Sequence, residues 1–287
     1  MIIIDMNQIM ISNLMMQIKS KEMDEDLVRH MVLTSLRSYE RQFQSEYGEV
    51  VLAYDSKNYW RKSYFSFYKQ NRKKDREKSN HNWKSIFELL NKIRDEIKLY
   101  FPYKVIEVDG AEADDVISVL CKNKTKEKII ILSGDKDFIQ LQKYPGIYQY
   151  NPATKSYIVT DNPYMFIKEH IIRGDKSDGI PNILSKDDVF VSGERQKPIS
   201  QKKITKWLEI EPSKFCETEE QYKNYCRNKV LIDFDCIPQE IENKILKEYS
   251  SINICEKKVP LDYFSKHKLN DLMQDYFFRT SKSPFEK

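Results

Sequence analysis

The sequence has 287 residues, 40% hydrophobic and 32% charged, with a formal net charge of +4 and only 7 glycines. A chain of this length buries most of its unfolded surface without disulfides or a structural metal, and so few glycines exclude collagenous and Gly-rich linker chains. Five cysteines (Cys121, Cys216, Cys226, Cys236 and Cys255) form no C-x-x-C pair, a pattern expected of reduced thiols in the cytoplasm.

The chain opens Met-Ile-Ile-Ile-Asp, an apolar run too short for a signal peptide or a membrane span, so neither is expected. Residues 2–4 read as a buried strand, and Met10, Met15 and Met16 as core filler in a first helix. Over residues 26–47, Val28, Met31, Val32, Ser35, Leu36, Tyr39 and Phe43 recur on one helical face. A second strand is predicted over 50–54. Residues 60–82 combine Trp60, Tyr64, Phe65, Phe67 and Tyr68 with the run Lys69 to Lys78, six bases against two acids, and are expected as a mobile insertion over the site. Trp83, Ile86, Phe87, Leu90, Ile93, Ile97 and Tyr100 mark an amphipathic helix that stops before Pro102. A strand at 103–108, a helix at 111–121 and a strand at 128–132 follow.

Strands alternating with helices of this length predict an α/β fold, with a mostly parallel central sheet covered by helices on both faces. After about residue 161 strand signals fade, and polar helices are predicted at 201–208, 219–229 and 238–249. The expected division is an α/β domain over 1–160 and a smaller helical region over 161–287 that completes the site.

Acidic residues sit at or just beyond the strand ends, where parallel α/β sheets bind ligands. Asp5 closes the first strand and Asp55 the second. Glu112, Asp114 and Asp115 follow the third, and Asp135 and Asp137 follow the fourth within Ser-Gly-Asp-Lys-Asp. Asp175 and Asp178 stand three residues apart, a spacing that on a helical turn aims both inward. Carboxylates brought together this closely repel one another by several kcal/mol per pair, to order of magnitude, unless cations screen them. Mg²⁺ or Mn²⁺ suits all-oxygen donors, and a pair of such ions supports phosphodiester hydrolysis without a nucleophilic side chain. Singly, each acid is equally a cap or turn residue; together they predict a metal-dependent nuclease.

These segments, IIIDMNQ, VVLAYDS, AEADDVI, ILSGDKDF and GDKSDGIP, resemble in order and spacing the structure-specific 5′ nuclease (flap endonuclease) family. Within it the likeness is closest to the ribonuclease H branch of the T-even bacteriophages, through YWRKSYFSFYKQNRKK, Gly193–Arg195 and VLIDFDCIP. The resemblance implies a fold of the PIN or 5′ nuclease type with a helical arch at about 60–82 and a duplex-binding helical region. It implies a 5′→3′ exonuclease and flap endonuclease with ribonuclease H activity that removes RNA primers from lagging-strand fragments of phage DNA. Asp5, Asp55, Glu112, Asp114 and Asp135 would hold a first Mg²⁺ or its waters, and Asp137, Asp175 and Asp178 a second, with Mn²⁺ able to substitute. Asp115 would orient its neighbours. Lys69 and Arg72 would approach the scissile phosphate beside Asp135, and Tyr68 would stack on a terminal base. Lys73, Lys74, Lys202 and Lys203 would contact the nucleic-acid backbone, making affinity strongly salt-dependent. The substrates implied are RNA–DNA hybrid and flapped or nicked DNA duplex. A single-stranded-DNA-binding protein and a sliding clamp are the protein partners implied, for a monomer in the host cytoplasm and away from membranes.

The sequence departs from cellular and bacterial members over 182–200, which is longer than their Gly-x-Gly-x-Lys element and lacks its glycine pair, so a potassium site is not expected. The chain also begins almost at its first strand, without a leading extension to carry a clamp contact. A phosphatase similar to the haloacid dehalogenase superfamily is the competing enzyme, but Asp5 is followed by Met6 and Asn7 where that chemistry needs a second acid. A catalytically silent nucleic-acid-binding module is the other alternative. His30, His81, His170 and His267 show no H-x-x-x-H or H-E-x-x-H spacing, and no zinc site is expected from them. Trp207 and the Phe277–Phe278 pair read as core or interface anchors.

Overall fold

The computed structural model describes residues 1–18, 24–79, 81–124, 126–255 and 257–277. Strand β1 (Ile2–Asp5) runs straight into helix α1 (Met6–Ile18). Helix α2 (Glu25–Tyr47) starts at Asp24, whose carboxylate accepts the N–H groups of Asp26 and Leu27, and stops at Gly48, φ 82°. Strand β2 (Val50–Ala53) leads to the basic insertion, which forms two short helices, α3 (Trp60–Tyr64) and α4 (Gln70–Lys78). Helix α5 (Trp83–Tyr100), strand β3 (Lys104–Ile106), helix α6 (Ala113–Asn123) and strand β4 (Ile129–Leu132) complete the alternating half. A 3₁₀ helix (Lys136–Lys143), β5 (Ile147–Asn151) and β6 (Ser156–Ile158) follow.

The six strands lie in the order β3-β2-β1-β4-β5-β6, parallel except for β6, which runs against β5. The central strands are apolar on both sides because both sheet faces are covered. Ile2, Ile4, Val50, Leu52, Val105, Ile130 and Leu132 pack into one core with α1, α2 and α5. Ile3, Val51, Ala53, Ile106, Ile129 and Ile131 pack into the other with α6. The mostly parallel sheet between helical layers is as predicted. β5 and β6 escaped the prediction. β5 reads Ile-Tyr-Gln-Tyr-Asn, and its buried Gln149 breaks the apolar pattern because its amide donates to the carbonyls of Ser133 and Asp135. β3 is shorter than expected, since the chain leaves the sheet after Ile106 towards Gly110, φ 91°.

The second half contains α7 (Pro163–Arg173), α8 (Val189–Ser192), α9 (Gln201–Leu208), α10 (Pro212–Phe215) and α11 (Glu219–Ile232). After a 3₁₀ turn (Phe234–Cys236) come α12 (Gln239–Ser251), α13 (Leu261–Lys266) and α14 (Asn270–Phe277). α7, α9, α10 and α11 form a third core with Phe65 and Tyr68 of the insertion, and Trp207 is one of its buried members. α12 instead joins the α6 face, and Phe264, Leu269 and Leu272 join the α2–α5 face, so the last helices clamp both sides of the sheet. Met10 is core as expected, but Met16 is largely exposed. Phe278 lies outside the described residues.

Candidate active site

Strand order reverses between β1 and β4, and the crevice beyond that switch point collects the acids. Asp5 ends β1, accepting the backbone N–H of Gln8 at 3.2 Å and the Ser133 hydroxyl at 3.0 Å. Gln8 in turn accepts the N–H of Gly134 at 2.6 Å, which ties α1 to the loop after β4. Asp135 caps the 3₁₀ helix by accepting from the N–H of Asp137 at 3.0 Å. Asp55, two residues past β2, accepts the Ala113 N–H at 2.7 Å and so joins the second strand end to the start of α6. There Asp115 accepts the N–H of Glu112 at 2.9 Å, a capping contact that fixes Glu112 at the helix entrance.

The electrostatics bind these acids into one group. Burial pushes the Asp5 carboxyl up to about 7, with Asp55 and Asp135 adding to the rise. Burial also raises Asp114, reinforced by Asp135. Asp55 is open to solvent on one flank, yet the crevice walls still displace enough water to raise it. Asp137 is pushed up to about 8 by burial, with Asp135, Asp175 and Asp178 also raising it against the pull of His170. Carboxyls shifted upward by burial and by one another need an added cation to ionise together. The donor set fits a hard divalent ion: the oxygens are crowded, partly desolvated and in excess of the local positive charge.

Positive charge enters from the foot of the insertion. Arg61 is fully buried; its guanidinium reaches Glu112 at 3.0 Å, Asp115 at 2.8 Å and the Leu231 carbonyl of α11 at 2.9 Å. Burial works against ionising Glu112, but Lys69 and Arg61 outweigh it and hold its pKa below the ordinary value. The Lys69 ammonium lies 2.6 Å from Glu112 and 3.6 Å from Asp178. Burial disfavours that ammonium, but Asp178 and Glu112 overcome it and raise its pKa. Arg72 pairs with Asp178. Lys69 adopts a left-handed backbone, φ 56°, and its N–H donates to the Asp178 carbonyl at 2.7 Å. Left-handed geometry is uncommon for a side chain other than glycine and concentrates at functional sites.

Two expectations are corrected here. Tyr68 is only 2% exposed, with its hydroxyl 2.8 Å from Asp178 and 3.0 Å from Glu112, so its ring is core material and offers no face to a base in this conformation. Asp175 and Asp178 do not share a helical turn. They lie in a tight loop closed by the Asp175–Ile180 bridge, where Asp175 accepts the Ser177 N–H at 2.6 Å. Asp178 consequently faces the insertion, while Asp175 faces Asp137. One residue that the sequence reading did not single out also enters the crevice. His170, in the last turn of α7, places Nδ1 3.4 Å from Asp137 and Nε2 3.5 Å from Asp175. No spacing in the sequence marks it, because the groups beside it are carboxylates rather than another histidine. Arg61 and Ser133 were likewise missed, although both belong to motifs that were read.

Lys73 and Lys74 project from α4; Lys73 is 3.9 Å from Glu77 and Lys74 reaches the Val191 carbonyl at 2.9 Å. Lys202 is exposed on α9, and Lys203 lies over the Trp207 ring and 3.3 Å from Glu217. These four bases stand outside the carboxylate cluster.

Residues 1–169 match the family model of the 5′-3′ exonuclease N-terminal resolvase-like domain, and residues 161–276 match that of the T4 RNase H C-terminal region. Ribonuclease H of Enterobacteria phage T4 is 35% identical over 283 residues, covering 94% of this chain and 92% of the relative. The 5′-3′ exonuclease of Buchnera aphidicola is 32% identical over 145 residues, covering 47% of this chain and 48% of the relative. Solved structures at 15% identity share the fold. The bacteriophage T5 flap endonuclease, in a pseudo-enzyme-product complex with DNA and metal ions, superposes with a TM-score of 0.61 over 87% of this chain and 99% of that chain. T5 5′-exonuclease with bound zinc gives a TM-score of 0.60 over 88% and 98%.

Proposed function

The chain belongs to the 5′-3′ exonuclease family, and we propose on that premise that it hydrolyses phosphodiesters from the 5′ end of RNA–DNA and DNA duplexes with Mg²⁺. The observation that carries this reading is the convergence of acids from β1, β2, the α6 entrance and the loop after β4 on one crevice. Within it, Asp5, Asp55, Glu112, Asp114 and Asp135 hold one ion or its waters. Asp137 and Asp175 hold the second, where Mn²⁺ substitutes for Mg²⁺, while Asp178, engaged by Lys69, Arg72 and Tyr68, ties the arch to this loop. Such ions supply positive charge for the phosphate and acidify water near neutral pH.

The remaining work falls to the protein. Arg61 and Asp115 keep Glu112 fixed and ionised. Lys69 and Arg72 hold positive charge at the foot of the arch, poised to meet the scissile phosphate. Lys73 and Lys74 on α4, with Lys202 and Lys203 on α9, hold backbone phosphates, so recognition follows shape and charge rather than base edges. Residues 1–160 supply the strand-end acids and the arch at 60–82; residues 161–287 complete the site and grip duplex. The biological task is removal of RNA primers from lagging-strand fragments of phage DNA by a monomer in the host cytoplasm. The resemblance alone extends the partners to a single-stranded-DNA-binding protein and a sliding clamp. Among the described residues no helix is long and apolar enough to cross a membrane.

Family membership disposes of the phosphatase alternative. A silent binding module is separated from the enzyme by incubating a 5′-labelled RNA–DNA hybrid and a 5′-flapped duplex with the protein. Short 5′ products in Mg²⁺ and none with EDTA are expected; binding of both substrates without any cleavage would instead establish the module.

A further inference from the structure

We propose that His170 supplies a nitrogen ligand to the ion held by Asp137 and Asp175, making this half of the site prefer Mn²⁺ or another transition ion over Mg²⁺. The inference deepens the nuclease reading of the same site and rests on it.

One ligand atom from each of Asp137, His170 and Asp175 falls within 4.8 Å of the others. The three line a cleft of about 350 Å³ together with Gly134, Asp135 and Gly174. The ring is held in place from two sides. Phe166, one turn earlier on α7, packs edge-on against it at 5.9 Å, and the His170 carbonyl accepts the Gly174 N–H at 2.8 Å. Gly174 then turns the chain with φ 66°, so tightly that a Cβ there would come within 2.3 Å of the Ile180 carbonyl oxygen. The backbone at Asp175 is thereby fixed relative to the end of the helix that carries His170.

The spacing argues for a shared ion. An imidazolium paired directly with a carboxylate closes to about 2.7–2.9 Å, whereas the nitrogens here stop 3.4 and 3.5 Å from their oxygens. Nδ1 is moreover buried without a hydrogen-bond partner. Two ligand atoms that each lie about 2.1 Å from one ion, at angles between octahedral and tetrahedral, stand roughly 3.0–3.4 Å apart. An imidazole offers a given ion only one of its nitrogens; the Nδ1–Asp137 separation of 3.4 Å lies at the edge of that range, and one ligand atom from each of the three groups falls within 4.8 Å of the others. Imidazole is a good donor to Mn²⁺, Zn²⁺ and their neighbours, while Mg²⁺ favours oxygen and water. A single histidine among carboxylates therefore shifts preference towards the transition ions while Mg²⁺ is still accepted by the oxygens.

The protein's other three histidines lie elsewhere. His30 is 2.8 Å from Asp271, His267 is 3.2 Å from Asp26, and His81 stands beside Trp83. An imidazole signal from an ion in the crevice would thus belong to His170.

The test is a titration of the metal-free protein with MnCl₂, followed by pulsed electron paramagnetic resonance for ¹⁴N coupling and by calorimetry with MnCl₂ and MgCl₂. The expected result is one ¹⁴N coupling in the wild type that His170→Gln abolishes. Mn²⁺ affinity at that position falls at least about tenfold in the variant, and Mg²⁺ affinity falls much less. Bound Mn²⁺ without ¹⁴N coupling in the wild-type protein would overturn the proposal, whether or not the variant folds. So would a variant that loses affinity for both ions equally. Cleavage of a flapped RNA–DNA substrate in MgCl₂ is measured in parallel: cleavage without ¹⁴N coupling rejects the ligand and keeps the nuclease, and coupling without cleavage does the reverse.

Discussion

Asp5 and Asp137 resist ionisation, with burial pushing them up to about 7 and about 8. Between about pH 4 and about pH 8 the folded chain therefore binds more protons at these groups than the unfolded chain does, and stability falls as pH rises through that window. Glu112 and Asp175, held below their ordinary values, are ionised in both states above about pH 5 and add no slope there. Thermal melts in EDTA should give a lower midpoint at about pH 8 than at about pH 5, and Mg²⁺ should restore more stability at the higher pH. A metal-free midpoint that rises over this range would show that the carboxyls are not crowded as described. At this scale the sequence was most legible where acids followed strands, because position alone marks them. It was least legible where a side chain acts through burial. Tyr68 stands beside basic residues in the chain, yet its ring is absorbed into the core of α7 and α11. His170 carries no motif, and only the turn at Gly174 brings it to Asp175.

The loop from Gly174 to Ile180 decides how the two halves of the chain meet. It follows α7, packs its Gly179 within 3.1 Å (as a Cβ would measure) of the Phe67 carbonyl, and hands Asp178 to Lys69, Arg72 and Tyr68. Gly174 has no room for a side chain, and its positive φ strains any other residue. Gly174→Ala should therefore cost more than about 2 kcal/mol in denaturant unfolding, with weaker Mn²⁺ binding than in the wild type. Wild-type stability would mean that the loop relaxes freely and does not set the site. The helices expected at 26–47, 111–121, 201–208, 219–229 and 238–249 and over the Trp83–Tyr100 pattern fall within a few residues of α2, α6, α9, α11, α12 and α5, since apolar spacing marks them, whereas α7, which carries His170, was not expected. The spacing of Asp175 and Asp178 suits a helical turn and an Asx-type turn equally, and spacing alone does not separate the two.

Across the whole molecule, three cores hold the helices and the sheet together. Two cover the sheet faces, and the third joins the insertion to the later helices. The α/β half announced itself through β-branched runs alternating with helices. The way α12, α13 and α14 return to the sheet did not, because apolar stripes state which face is buried and not against which partner. What this architecture accomplishes is to bring acids from residue 5 to residue 178 to one crevice, where the proposed reading has them act with a bound divalent ion. The most direct test is single-turnover cleavage of a 5′-flapped duplex by the wild type and Asp135→Asn in Mg²⁺, with duplex affinity measured on the same samples. The account predicts that the variant binds within about tenfold of the wild type while cleavage falls by at least about a hundredfold. Cleavage by Asp135→Asn at the wild-type rate would contradict it.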